Sequence, residues 1–207
     1  MDRFAVPPAE ALILDETVNQ IVGPGAMFGG SQRRAVALDT RRVATGAGAS
    51  TDGVTSDVVT QLTLNAQGVR PEWIASVSER GVGHFELVEL LSVVSRTMAI
   101  DTFCFALGVD AWPLPESPGD GDVEAGPNGE VDPAATCNGG WLPTVGPAWP
   151  INALSAVPSE HRAMHRLGAA FYLAADQMGD LDVERGLHRT QMELVAARTS
   201  LLNECFF

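Results

Sequence analysis

The stretch His84-Phe-Glu-Leu-Val-Glu-Leu-Leu-Ser-Val-Val-Ser-Arg-Thr-Met-Ala-Ile-Asp-Thr-Phe-Cys-Phe-Ala-Leu107 decides the fold of this chain. Apolar residues occupy nearly every side of the helix that it would form, and such a helix is normally buried inside a bundle. Glu89 interrupts the apolar run, and a buried carboxylate needs a partner. Arg96, seven residues later on the same helix face, is the predicted partner. We therefore expect residues 84–107 to form the central helix of an all-α protein.

Four helical patterns precede this stretch and predict a bundle of about five helices over residues 1–110. Thr55-Ser56-Asp57 are expected to cap the third helix, and Pro71 is expected to open the fourth. The run from Gly23 to Gly30 has the wrong glycine spacing for a phosphate-binding loop, so it is interpreted as a helix-to-helix connection. The predicted helices cover residues 9–22, 31–45 and 55–66, and a segment that starts at Pro71.

The sequence changes character after residue 110. Eight prolines interleaved with glycine and aspartate make residues 111–150 a predicted linker or surface loop without regular structure. Helical patterning resumes over residues 151–157, continues from Pro158 to about Met178, and starts again near Asp182. Residues 151–207 are interpreted as the start of a second helical domain, too short to complete a core of its own.

Composition excludes several kinds of function. The chain has no lysine, which rules out a P-loop lysine or a lysine Schiff base. Its formal net charge of −13 argues against nucleic-acid binding and against attachment to anionic membranes. No uninterrupted run of 18 apolar residues and no apolar signal core are present, so the expected location is the cytoplasm. Three scattered cysteines predict no disulfide framework.

Cys205 is the strongest candidate for chemistry, because a thiolate is a nucleophile that redox reactions use. Asn203 is a good N-cap residue and would place Cys205 in the first turn of a new helix. A bend at Asn203 would also let Glu193 act as proton acceptor and donor for the thiol. The alternative interpretation is an ordinary buried cysteine in a frayed tail.

The remaining candidates are weaker. Cys104, on the central helix, is interpreted as a core residue, and Cys137 as an exposed loop residue. His161 and His165 have a spacing that suits a metal, but no third ligand is suggested, so a surface pair is preferred. We therefore expect no metal site and no cofactor.

The pattern Arg189-x-x-x-Glu193-Leu-Val-x-x-x-x-Ser200-x-x-Asn203-x-Cys205-x-Phe207 resembles the alkylhydroperoxidase-D-like (AhpD-like), or carboxymuconolactone decarboxylase, superfamily. The resemblance implies an AhpD-like helical bundle, assembly into a homo-oligomer, and reduction of a hydroperoxide or disulfide at the expense of a thiol reductant. By position it makes Glu193 the relay carboxylate and Cys205 the first, resolving cysteine.

The second redox residue and the downstream histidine of that family have no counterpart in this sequence. Some relatives carry selenocysteine, encoded by UGA, at the second position. We therefore hypothesise that the chain is the truncated form of an alkylhydroperoxidase-related selenoprotein, inactive by itself. Two alternatives remain open: a cysteine-independent, decarboxylase-like member of the same fold, and a non-catalytic helical oligomerisation module.

Overall fold

A computed structural model of the protein describes residues 6–118 and 131–205. Within these residues the structure is all-helical and contains no sheet, which confirms the predicted fold class. The seven α-helices of the described residues are α1 (Pro8–Val22), α2 (Gly30–Ala44), α3 (Val54–Leu64), α4 (Pro71–Glu79), α5 (His84–Leu107), α6 (Pro158–Phe171) and α7 (Arg189–Leu202).

The central helix of the bundle is α5, as the sequence predicts. It packs against α1, α2, α3 and α6, and its buried apolar residues join those of α1 to α4 in one core. Gly108 ends the helix in the left-handed conformation (φ 68°), which glycine adopts without strain. By length and mean hydropathy α5 would also suit a membrane span, although charged residues interrupt its apolar run.

The predicted helices upstream of α5 are confirmed, with one correction at a helix start. α3 begins directly after Gly53, whose φ of 95° suits glycine, so the Thr55-Ser56-Asp57 cap was wrong. Pro71 does occupy the first turn of α4, where its missing N–H costs nothing. The run from Gly23 to Gly30 connects α1 to α2, as expected.

The described parts of the predicted linker, residues 111–118 and 131–149, contain neither a helix nor a strand. They contain one isolated antiparallel bridge, between Thr136 and Thr144. The first part is tied to the bundle, because the Trp112 indole donates to Asp15 (2.9 Å) and Arg34 donates to the Pro115 carbonyl (2.8 Å). Residues 119–130 of the predicted linker lie outside the described residues.

The helices of the C-terminal part differ from the prediction. Residues 151–157 form a short 3-10 turn and further turns rather than a helix, and α6 ends at Phe171, well before Met178. Arg185 explains the early end, since its guanidinium donates to the carbonyls of Ala169 (2.7 Å), Ala170 (3.0 Å) and Tyr172 (2.8 Å). The last helix begins after His188 rather than near residue 182.

The helix α6 lies on the bundle, against α1 and α5. A second, smaller apolar cluster combines Ala26 and Val88 with Leu154 and Val157, so residues from both ends of the chain share it. The last helix, α7, is different, because Arg189 is its one buried residue. Four of its apolar side chains are more than half exposed: Leu194, Val195, Leu201 and Leu202.

Candidate functional site

Cys205, the predicted redox residue, is exposed just beyond the end of α7. Its Sγ lies 4.0 Å from the Asn203 carbonyl oxygen, and its backbone N–H donates to the Ser200 carbonyl (2.9 Å). Asn203 is the C-terminal cap of α7, and its N–H donates to the Thr199 carbonyl (3.0 Å). The prediction that Asn203 caps the start of a new helix was therefore wrong, because its backbone closes the last turn of the preceding one.

Glu193, the predicted relay carboxylate, lies on α7 with its side chain about half exposed (48%). It pairs with Arg189 one turn earlier (2.8 Å) and accepts a hydrogen bond from the Tyr172 hydroxyl (2.5 Å). That hydrogen bond, followed by burial, raises the pKa of Tyr172. The partners of the Glu193 carboxylate are thus Arg189 and Tyr172.

The structure does not bring Glu193 and Cys205 into contact. The helix continues for nine residues from Glu193 to Leu202, which is about 14 Å along the axis at 1.5 Å per residue. Direct proton transfer between Glu193 and Cys205 is therefore excluded in this arrangement, and a relay would need an intervening proton-carrying group.

The other candidate residues fall where the sequence places them. Cys104 is buried on α5, and Cys137 is exposed with its sulfur 3.8 Å from Nδ1 of His84. His161 and His165 both direct Nε2 at the Ile151 carbonyl oxygen (2.9 and 3.1 Å). Within residues 6–118 and 131–205, no three or more metal-binding side chains come together.

A larger constellation of charged groups lies inside the bundle. Four side chains, each almost completely buried, form what is called here the ionic cluster: Arg33 of α2, Glu89 and Arg96 of α5, and Glu160 of α6. The carboxylates and guanidiniums alternate along it. Glu89 pairs with Arg33, Arg33 pairs with Glu160 (3.0 Å), and Glu160 pairs with Arg96. The cluster therefore joins three helices that are far apart in sequence.

Backbone groups complete the coordination of the cluster. The Met27 N–H donates to Glu89 (2.6 Å), and Arg33 donates from Nε to the Ile21 carbonyl (3.1 Å). Gly25 lies so close that an added Cβ would collide with the side chains of Glu89 and Arg33. The connection between α1 and α2 thus needs a glycine here, because its backbone passes directly over the cluster.

The electrostatics of the cluster favour its charged state. Burial alone would raise the pKa of Glu160, but the nearby charges of Arg96 and Arg33 outweigh it, so the pKa is lowered. Arg33 resists the effect of burial because two carboxylates face it, and its pKa is raised. Burial lowers the pKa of Arg96 to about 10, against the opposing effect of Glu160. At neutral pH the ionised Glu160 therefore lies between two charged guanidiniums.

The sequence indicated only part of this cluster. Glu89 does have a buried partner, but its direct partner is Arg33, and Arg96 is reached through Glu160. A charge within the apolar pattern of α5 was the signal that identified Glu89. Arg33 had no such signal, because α2 carries four arginines, and Glu160 stands in a first helical turn, where an acidic residue is common without a buried partner.

Comparison with protein-family models, with curated proteins and with solved structures finds no match to this chain.

Proposed function

We propose that the protein takes part in thiol- or selenol-dependent reduction of hydroperoxides or disulfides, with Cys205 as the resolving sulfur. The observation that carries the proposal is the position of Cys205, whose thiol is exposed to solvent directly after the helix that holds Glu193. An accessible thiol is what attack on a second sulfur or selenium requires. Tyr172 and Arg189 hold the Glu193 carboxylate in place.

The proposed reaction needs a second redox atom, and the resemblance places it at the position after Phe207, as cysteine or selenocysteine. Its thiolate or selenolate attacks the peroxide O–O bond, releasing an alcohol and becoming a sulfenic or selenenic acid. The Cys205 thiolate then attacks that sulfur or selenium, water leaves, and a disulfide or selenenyl sulfide forms. Two equivalents of an external thiol reduce this bond and leave as their own disulfide.

The proposed role of Glu193 is that of a proton relay rather than a contact of the thiol. The carboxylate is separated from Cys205 by the rest of α7. It therefore exchanges protons with the reacting atoms through an intervening group, and its substitution should alter the pH dependence of turnover more than peroxide binding.

The test uses the protein read through the position after Phe207, with cysteine or selenocysteine there, which we call the extended protein. Steady-state consumption of hydroperoxide with an excess of a small thiol is measured for the extended protein and for C205S. The proposal expects C205S to turn over more slowly than the extended protein, because the external thiol must then attack the sulfenic or selenenic acid in place of Cys205. C137S, which removes another exposed cysteine, is the matched control and should turn over normally. Undiminished turnover of C205S, or an inactive extended protein, would overturn the proposal.

One observation favours a second candidate, a non-catalytic oligomerisation module. The exposed apolar side chains of α7 make up a surface that a soluble protein normally covers. Both candidates include self-association, and we propose that the protein forms a homo-oligomer through this surface. An oligomer without peroxide consumption by the extended protein would favour the module.

A further inference from the structure

A cavity of about 390 Å³ opens beside the ionic cluster, where the first turn of α6 faces the connection between α1 and α2. Arg33, Arg96 and Glu160 of the cluster form part of its wall, and Gly25 also lines it. Neither Cys205 nor Glu193 lines it. The cavity is therefore separate from the thiol site proposed above.

Two buried polar atoms of residues that line this cavity have no hydrogen-bond partner among the described residues: Nη1 of Arg96 and Oγ of Ser159. The side chain of Arg96 is fully buried. Buried donors without a partner are rare in folded proteins, and leaving one unsatisfied costs free energy, most of all on a charged group. Both residues line the same cavity, so a single occupant that reached both atoms would satisfy them.

The charges around the cavity favour an anion. Within the ionic cluster, two arginines are balanced by two glutamates, and Arg166 is balanced by Glu16 (2.7 Å). Arg162 also lines the cavity, and no salt bridge to it occurs within the described residues. Positive charge is therefore left over at Arg162.

The start of α6 adds to this positive potential. Its N-cap residue, Val157, has no side chain that could accept from the first-turn N–H groups. The N-terminus of this 14-residue helix carries a partial positive charge, which attracts oxyanions. Pro158 has no N–H and the Glu160 N–H donates to the Val157 carbonyl (3.0 Å), so the N–H of Ser159 is the first-turn donor that remains. Ser159 and Glu160, in the first turn, line the cavity, so this end of the helix borders it.

We propose that the cavity binds the phosphate group of a small anionic molecule. Nη1 of Arg96 and Oγ of Ser159 donate to its oxygens, and Arg162 supplies the balancing charge. A phosphate has enough oxygen acceptors to take the guanidinium, the hydroxyl and a helix N–H together, whereas a carboxylate has two oxygens. The volume of the cavity exceeds that of one phosphate group, which leaves room for the organic part of the molecule.

Isothermal titration with inorganic phosphate, at ionic strength held constant with sodium chloride, tests the proposal on the full chain. Wild-type protein should bind phosphate saturably. R162Q and S159A should each weaken binding by about threefold or more, which corresponds to the loss of one polar contact. R198Q removes an exposed arginine of α7 far from the cavity and should bind phosphate as wild type does. Acetate is titrated in parallel and should bind more weakly.

A second readout observes Arg96 without changing it, since its substitution could unfold the protein. In ¹⁵N NMR spectra, the guanidinium resonances of Arg96 should shift as phosphate is added, with the same dissociation constant as in calorimetry. Absence of saturable binding, an equal loss of affinity in R162Q and R198Q, or acetate binding as tight as phosphate would overturn the proposal. An unshifted Arg96 resonance at saturating phosphate would do so as well.

Discussion

Arg33 of α2 and Glu160 of α6 lie 127 residues apart in the chain and are joined inside the protein by a hydrogen bond of 3.0 Å between Nη1 and Oε1. Glu160 also accepts a hydrogen bond from Arg96 of α5. Its single carboxylate therefore ties α6 to two helices of the N-terminal bundle, α2 and α5. The residue stands in the first turn of α6. The position of α6 on the bundle therefore depends on an ion pair as well as on apolar packing.

Replacing Glu160 with glutamine should destabilise the protein strongly. The substitution keeps the shape of the side chain but leaves Arg33 and Arg96 buried with only Glu89 to balance them. Breaking a buried ion pair by removing one partner costs about 3–5 kcal/mol. Urea unfolding, monitored by circular dichroism, measures the change in the free energy of unfolding. E79Q, at an exposed glutamate that ends α4, is the matched control and should change the free energy of unfolding by less than about 0.5 kcal/mol. Equal stabilities of the two variants would contradict the role given to Glu160.

The free energy of unfolding of the wild type should fall more steeply in acid than that of E160Q. The pKa of Glu160 is lowered in the folded protein from an ordinary value of 4.5. The unfolded chain therefore takes up the proton first, and the stabilisation from the ionised carboxylate is complete only above about pH 4.5. It is lost as the pH falls further, through the folded pKa. Unfolding free energies of wild type and E160Q measured between pH 7 and pH 3 should therefore converge.

Asp39 provides an internal reference for this experiment. Burial alone would raise its pKa, but hydrogen bonds from Ser50 and Thr51 outweigh burial and lower it. Because Asp39 is present in both proteins, its acid-dependent contribution cancels in the difference. Parallel stability curves for wild type and E160Q would show that Glu160 is not the residue responsible.

Gly25 should tolerate no side chain. A Cβ at this position would collide with the buried carboxylate of Glu89 and guanidinium of Arg33, and moving either group would disturb their ion pair. We expect G25A to lower the free energy of unfolding by about 1–3 kcal/mol, the usual cost of an overpacked site. G179A is the control, since nothing lies within 4 Å of a Cβ built there. If G25A is as stable as G179A in urea unfolding, the close approach of the backbone to the cluster is disproved.

The exposed apolar surface of α7 should drive self-association. Light scattering after size-exclusion chromatography is expected to show an oligomer for wild type and a shift toward the monomer for the double variant L194S/L202S, because both leucines are about 70% exposed in the single chain. L12S, at an equally exposed leucine of α1, should leave the oligomer intact. A monomeric wild type, or an unchanged oligomer in the double variant, would rule out this surface as the interface.

Much of the fold could be predicted from sequence because its helices carry local signals. The all-round apolar pattern of α5 identified the central helix, and Pro71 marked the start of α4. The error in the length of α6 arises where a distant contact decides. The end of α6 is set by Arg185, which caps its last carbonyls from a later turn, and no local pattern near Phe171 reveals this.

The buried cluster was less predictable than the helices. A charge inside an apolar helix signals that a partner exists, but the identity of the partner depends on how helices pack. Helical spacing favoured Arg96 for Glu89, whereas packing supplied Arg33 from α2. Glu193 and Cys205 were recognised from a motif, and a motif does not give a distance; their separation along α7 came from the structure.

The most direct test of the proposed function is to trap the bond that Cys205 is expected to form. The reduced extended protein is treated with one equivalent of hydrogen peroxide, blocked with an alkylating agent and digested with trypsin, which cleaves after Arg198. Mass spectrometry of the peptide beginning at Thr199 should then show an internal bond between Cys205 and the residue after Phe207, with the loss of two hydrogens and no alkylation of Cys205. An alkylated Cys205, with peroxide consumed or not, would contradict its role as the resolving sulfur.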